Sequence, residues 1–104
     1  MYLPKKYTDF KNTYEDVFVQ YQALGKVCRD SGPLDDKTQS LVKLGIAIGA
    51  NSRGGVMSHT RKAIDFGATP KEISHTVLMA LTTIGFPNMI SAMAWVNEVL
   101  DSKG

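Results

Sequence analysis

Residues 35–67 read DDKTQSLVKLGIAIGANSRGGVMSHTRKAIDFG, and this stretch decides the fold. Apolar residues recur every three or four positions in its first half, which predicts a helix over residues 35–50 with Asp35 as its N-cap. Asn51 interrupts the pattern, and Ser52 after it is a favourable N-cap for a second helix over residues 53–66. Because so short a link joins them, we expect these two helices to form an antiparallel hairpin.

Two glycines of the first of these helices, Gly45 and Gly49, lie four residues apart. Residues at this spacing share one face of a helix. Since glycine has no side chain, we expect another helix to pack closely against this face.

Residues 69–72, Thr-Pro-Lys-Glu, carry the clearest helix start in the chain. Thr69 is a capping residue, Pro70 occupies the first helical position, and Glu72 stands three residues after the cap, which is the pattern of a capping box. The apolar spacing predicts a helix over residues 70–84. Its inward side chains are expected to be Ile73, Val77, Leu78 and Leu81.

Two further helices flank this central part of the chain. Apolar residues at helical spacing predict one from Thr8 or Asp9 to just before Ser31. The other is expected to begin near Pro87 and to carry a broad apolar surface, which includes Trp95. No segment alternates between apolar and polar residues for long enough to predict a strand. The fold class is therefore all-α, with about five helices around the hairpin, in a single domain over residues 1–104.

Composition excludes several classes of function. The 104 residues carry a net charge of +2 and no dense basic cluster, which argues against a nucleic-acid partner. The longest apolar stretch is far shorter than the roughly 20 residues that span a bilayer, so no membrane partner is expected. Cys28 is the only cysteine of the sequence, which excludes a disulfide within the chain. With no signal peptide in view, this cysteine usage favours a cytoplasmic location.

Ser52, Gly55 and His59 follow one another at spacings of three and four residues and so share a stripe on the predicted helix over residues 53–66. A helix N-terminus offers free N–H groups and a partial positive charge. A carboxylate ligand could bind there, with Arg53 as a charged contact and His59 close by. The alternatives are that His59 is a histidine of the core and that Arg53 is a solvated residue.

Five pieces of the sequence, in this order, resemble one known domain. They are Leu34-Asp35, the run 41–50, His59-Thr60-Arg61-Lys62-Ala63, the run 67–73, and Gly85-Phe86-Pro87. The domain is that of the carboxymuconolactone decarboxylase/alkylhydroperoxidase D family, and the resemblance is strongest over residues 35–96. It implies an all-α fold that assembles into trimers or hexamers.

The peroxidase branch of that family carries two cysteines and a histidine as Cys-x-x-Cys-x-x-x-His, with a glutamate one helix earlier. By the resemblance, the histidine matches His59, the cysteine positions fall on Ser52 and Gly55, and the glutamate position falls on Ser40. Neither serine nor glycine supplies the thiolate that this chemistry needs. This chain therefore resembles a branch without the cysteine pair, and thiol peroxidase activity is not expected.

The decarboxylase branch also lacks the cysteines and keeps the histidine. The resemblance thus implies a cofactor-free lyase that acts on a small unsaturated organic acid or lactone, with His59 as proton donor. Substrate-binding candidates are Arg53, Ser52, Gly55, Ser40 and Lys43. Lys43 lies three residues after Ser40 and could take over the charged role of the missing glutamate, or extend to solvent.

Two alternatives to an enzyme are kept. The chain could be a non-catalytic oligomeric member of the family that binds a small anion. It could also be a helical DNA-binding protein, although it lacks a basic recognition helix. No metal site is predicted, because His59 and His75 have neither a short spacing nor other ligands beside them.

Overall fold

The computed structural model describes residues 4–103 and divides the chain into two compact units, one up to Pro33 and the other from Leu34 onward. Within the described residues every regular element is a helix, and seven helices follow one another. The predicted all-α class is confirmed. The number of helices exceeds the predicted five because two of the predicted helices are each divided.

The first unit consists of α1, Lys5–Thr13, and α2, Glu15–Asp30. The sequence predicted one helix here, and this prediction was wrong because Tyr14 leaves the helical conformation, with φ −124° and ψ 57°. The break allows the ring of Tyr7 to meet that of Phe18 edge to face, with 5.4 Å between the ring centroids. Such aromatic pairs are favourable. Tyr7 and Phe18 could not meet on one straight helix, so this pair requires the chain to reverse between them.

The second unit begins with the predicted hairpin of α3, Asp36–Gly49, and α4, Arg53–Asp65. The Asp35 carboxylate accepts a hydrogen bond from the Thr38 N–H at 2.8 Å, so the predicted N-cap is confirmed. Asn51 makes the reversal between the helices with φ 54°, a left-handed conformation that asparagine tolerates better than most residues.

The capping box at the start of α5, Pro70–Leu78, is complete. The Thr69 side chain accepts from the Glu72 N–H and the Glu72 carboxylate accepts from the Thr69 N–H. The predicted continuation to Ile84 is interrupted at Met79 and Ala80. There the Ala80 N–H donates to the Val77 carbonyl, one residue nearer than in an α-helix, and the turn tightens before α6, Leu81–Ile84. Gly85 then leads into α7, Phe86–Lys103.

The core of the second unit draws on all its long helices. Its buried residues are Leu44, Ala47, Ile48, Val56, Ala63, Ala68, Ile73, Val77, Met89, Ala92 and Val96. Ile73 and Val77 are buried as predicted, whereas Leu78 is exposed, since its helix ends there. The core holds α4 between α3 and α7, and this arrangement fixes the face of α4 that remains accessible.

Gly45 and Gly49 do not serve the close packing that the sequence predicted. A Cβ atom built on either glycine would meet nothing within 4 Å. The two residues instead line a cavity of about 150 Å³ between α3 and the α5–α6 turn. No helix in the described part of the chain is long and apolar enough to cross a membrane.

Candidate functional site

The start of α4 is built by Ser52 and Gly55. The Ser52 hydroxyl accepts a hydrogen bond from the Gly55 N–H at 3.1 Å and so caps the helix. A Cβ atom on residue 55 would lie 2.8 Å from the Ser52 Oγ and 3.2 Å from the Ala47 Cβ. Glycine at this position therefore lets α3 and α4 approach. The structure gives both predicted site residues a role in the hairpin, whatever they also do for a ligand.

His59 lies on the second turn of α4 and is partly buried. Its Nδ1 atom is buried and has no hydrogen-bond partner. Burial lowers the pKa of His59 below its ordinary value of 6.5, and the positive charges of Lys62 and Lys43 lower this pKa further. Both effects disfavour the cationic form of the imidazole.

Lys43 stands opposite His59 across the hairpin. Position 55 meets Ala47 where the two helices are closest, and His59 and Lys43 each lie four residues further from the turn. In an antiparallel pair these two positions face the same stretch of the interface. The electrostatic effect of Lys43 on the pKa of His59 agrees with this register. Lys43 is exposed.

Ser40 lies one helical turn before Lys43 and is buried. Its hydroxyl donates a hydrogen bond of 2.9 Å to the carbonyl of Asp36 in the same helix. This bond supports α3 internally and uses the only proton that the side chain can donate. A ligand at Ser40 would therefore find an acceptor rather than a free donor.

The structure places Arg53 away from His59. Its Nη2 atom lies 2.9 Å from Oε2 of Glu98, a residue of α7, and both side chains are more than half exposed. Arg53 is six residues before His59, which turns it about 120° away on the helix. Its charge is balanced by a carboxylate, so the arrangement does not bring it together with Lys43 and His59.

Lys62 was not among the site residues that the sequence predicted. It lies three residues after His59, on the same side of α4, and its charge acts on the imidazole. The sequence could have indicated Lys62 as a neighbour of His59, because residues three apart on a helix lie side by side. We define the anion cluster as Lys43, His59 and Lys62. It brings an imidazole together with two lysines from two helices, and positive charge of this kind suits a ligand with negative charge.

The described residues hold no group of three histidine, cysteine or acidic side chains that could bind a metal ion. His75 is exposed on α5, where it lines a shallow depression with Met93. Cys28 is exposed on α2 in the other unit. A disulfide-forming pair is absent from the sequence, which has one cysteine.

These features define a small helical protein whose central hairpin carries a histidine beside two lysines. The carboxymuconolactone decarboxylase family model matches residues 15–98, and the chain belongs to this family. The match begins within α2, well before the residues on which the sequence resemblance was strongest.

Two known proteins are similar over nearly the whole chain. A protein of Metarhizium robertsii named nitrosuccinic acid decarboxylase is 35% identical over 98 residues, which cover 90% of this chain and 67% of that protein. A carboxymuconolactone decarboxylase family protein from Legionella pneumophila, crystallised in its apo form, superposes with a TM-score of 0.79. It is 21% identical, and the match covers 90% of this chain and 84% of that one. This second likeness supports the fold alone.

Proposed function

We propose that the protein is a decarboxylase-type lyase that acts on a small organic acid at the anion cluster. The observation that carries the proposal is the partly buried His59, whose pKa is lowered by the charges of Lys62 and Lys43, in a chain of this family. The decarboxylase name of the Metarhizium relative supports the reaction class. An unsaturated acid or a lactone acid is the substrate class that we expect.

In such a reaction the bond between the substrate carbon and its carboxylate breaks, and carbon dioxide leaves. The electron pair stays on the carbon and spreads into a neighbouring carbonyl or similar acceptor group. Lys43 and Lys62 would stabilise this negative charge, which is the electrostatic contribution that enzymes commonly supply. His59 would first take up a proton from solvent. In this cationic form it would give the proton to the carbon and become neutral again, so that the proton consumed in each turnover comes from water.

A second candidate function, a non-catalytic anion-binding protein, is favoured by one observation. Burial and the charges of Lys62 and Lys43 lower the pKa of His59, which disfavours the protonated form that a general acid needs. A site of this kind can bind an anion with its two lysines and do no chemistry.

The test is a screen of lactone acids, unsaturated acids and substituted dicarboxylic acids for release of carbon dioxide. For any acid that reacts, His59→Gln is expected to lower kcat/KM by about 100-fold or more, the usual contribution of a general acid. His75→Gln is the matched control, because this second histidine is exposed on another helix, and it should stay within about twofold of wild type. Equal rates for the two variants would contradict the role of His59. Anion binding without carbon dioxide from any acid would favour the second candidate.

We also propose that the protein self-associates, as a trimer or a hexamer. The last helix has the broad apolar surface that the sequence predicted, but Met89, Val96 and Val99 of α7 are buried. The exposed apolar residues of α2 offer a better surface. Val17, Tyr21 and Leu24 lie on one face of that helix and are each more than half exposed.

A further inference from the structure

One exposed face of α2 repeats with a period of seven residues. Tyr14, Val17, Tyr21, Leu24 and Cys28 follow one another at alternating spacings of three and four, and all five are exposed. Residues at these spacings form a narrow stripe along a helix, which is the pattern of a seam between two paired helices. We define the α2 seam as the first four of these residues, from Tyr14 to Leu24.

The helix α1 contacts a different face of α2. Phe18, the buried residue of α2, meets the ring of Tyr7, and Gln22 donates a hydrogen bond of 3.3 Å to the Tyr7 hydroxyl. Phe18 and Gln22 lie about 100° around the helix from the middle of the α2 seam. The packing of α1 on α2 therefore leaves the seam uncovered, with Tyr21 66% and Leu24 60% exposed.

The α2 seam alternates between aromatic and aliphatic side chains, and this order favours one direction of pairing. Two seams that run in the same direction would place tyrosine against tyrosine in one layer and two aliphatic side chains in the next. Two seams that run in opposite directions place Tyr14 against Leu24, and Val17 against Tyr21, in every layer. Facing positions pack best when a large side chain meets a smaller one. The tyrosine hydroxyls can then reach water at the edge of the contact.

The charges along α2 favour the same direction of pairing. Its first half, residues 15–22, carries Glu15 and Asp16 and no basic residue, whereas residues 23–30 carry Lys26, Arg29 and Asp30. Pairing in opposite directions brings the acidic half of each copy beside the basic half of the other. Pairing in the same direction places like charges together. Because Lys26 also pairs with Asp30 at 2.6 Å in its own helix, these charges select the direction more than they add affinity.

We propose that the α2 seams of two copies of this chain pair in opposite directions around a two-fold axis. The inference rests on the self-association proposed above and adds its geometry. A contact of this kind joins two identical surfaces, and it occurs in a hexamer that is built from two trimers. A trimer has a three-fold axis alone and contains no such contact. Of the two assemblies proposed above, the inference therefore selects the hexamer.

Nitroxide labels on the full chain report the direction of pairing. Cys28 is the only cysteine of the sequence, so it takes one label per chain. In the proposed register two labels at Cys28 lie about 18 residues apart along the helix axis, or roughly 27 Å. Gln20→Cys in a Cys28→Ser background brings the two labels to within about 3 Å along the axis. Electron paramagnetic resonance should therefore show strong dipolar coupling at residue 20 and weak coupling at residue 28.

Val17→Tyr tests the register without a label. In the proposed pairing it places tyrosine against Tyr21, and this overpacking should weaken the association by about tenfold or more in sedimentation measurements. Adding Tyr21→Val restores one ring and one aliphatic side chain to each layer, so the association should return to within about threefold of wild type. Val19→Tyr is the matched control, because Val19 is exposed on the opposite face of α2, and it should change nothing.

Strong coupling at Cys28 would overturn the inference, because pairing in the same direction places these two residues side by side. A loss of association in Val17→Tyr that Tyr21→Val does not restore would overturn it as well, and so would a wild-type protein with the mass of a trimer. In these cases the self-association stands without the proposed geometry. A monomeric wild-type protein would remove both. None of these readouts depends on carbon dioxide release, so the proposed lyase activity is tested separately.

Discussion

The two units of the chain differ in where they place apolar side chains. In the described part of the first unit, Phe18 is the only buried residue. The exposed large apolar residues of this unit are Tyr7, Phe10, Tyr14, Val17, Val19, Tyr21, Leu24 and Val27. In the unit formed by α3 to α7, eleven buried apolar residues form one cluster. Both parts have helical spacing of apolar residues. The difference teaches that this spacing predicts a helix but not what covers its apolar face.

The largest expected effect lies in the core of the second unit. Leu44→Ala removes a side chain with no exposed surface and should lower the free energy of unfolding by about 2–5 kcal/mol. Ile46→Ala, on the same helix and 66% exposed, should change it by less than about 0.5 kcal/mol. Urea denaturation of the two variants measures both values. Similar losses would mean that Ile46 is covered in solution.

The next effect concerns the first unit and the proposed self-association. Replacing Val17 and Leu24 with serine removes two apolar side chains from the exposed face of α2. Each should weaken the assembly by at least about tenfold, since burying such a side chain contributes more than about 1.4 kcal/mol. Light scattering should show a lower mass for the double variant. Val19→Ser is the control, because Val19 lies on the opposite face of α2.

If the double variant has the same mass as the wild type, the contact surface is not this face of α2. A monomeric wild-type protein would remove the self-association proposal altogether. A loss of mass with Val19→Ser as well would indicate that both faces of α2 are covered in the assembly.

The smallest effect on the free energy of unfolding is expected for variants of two neighbouring glycines in the hairpin. Gly55→Ala would force its Cβ against the Ser52 Oγ and the Ala47 Cβ, which should cost about 1 kcal/mol through the weakened cap. A Cβ on residue 54 would meet nothing within 4 Å, so Gly54→Ala should stabilise by about 0.5–1 kcal/mol through the higher helix propensity of alanine. Thermal unfolding should therefore shift in opposite directions. Shifts of the same sign would show that residue 55 has more room than the structure gives it.

Several features of the fold follow from local sequence alone. The N-caps at Asp35, Ser52 and Thr69 were predicted, because a capping side chain bonds to a backbone N–H two or three residues away. The hairpin of α3 and α4 followed from the short link between them. Family membership was predicted from pieces in their order along the chain, and the family model confirms it.

The breaks inside predicted helices could not be located in this way. Tyr14 has no helix-breaking side chain, and the chain turns there because Phe18 can then pack against Tyr7. The cavity at Gly45 and Gly49 could not be predicted from the sequence either. A stripe of small residues permits close packing, but only the path of α5 and α6 decides whether a helix takes the space.

The sequence by itself determined the helical class, the caps, the family and the histidine on which the proposal depends, since these rest on neighbours in the chain or on motifs in order. The tertiary structure alone decided which charges meet His59. It pairs Arg53 with Glu98 and brings Lys43 and Lys62 close enough for their charges to lower the pKa of His59. Electrostatic partners are set by distance in space, and residues from three different helices have no fixed distance until those helices pack.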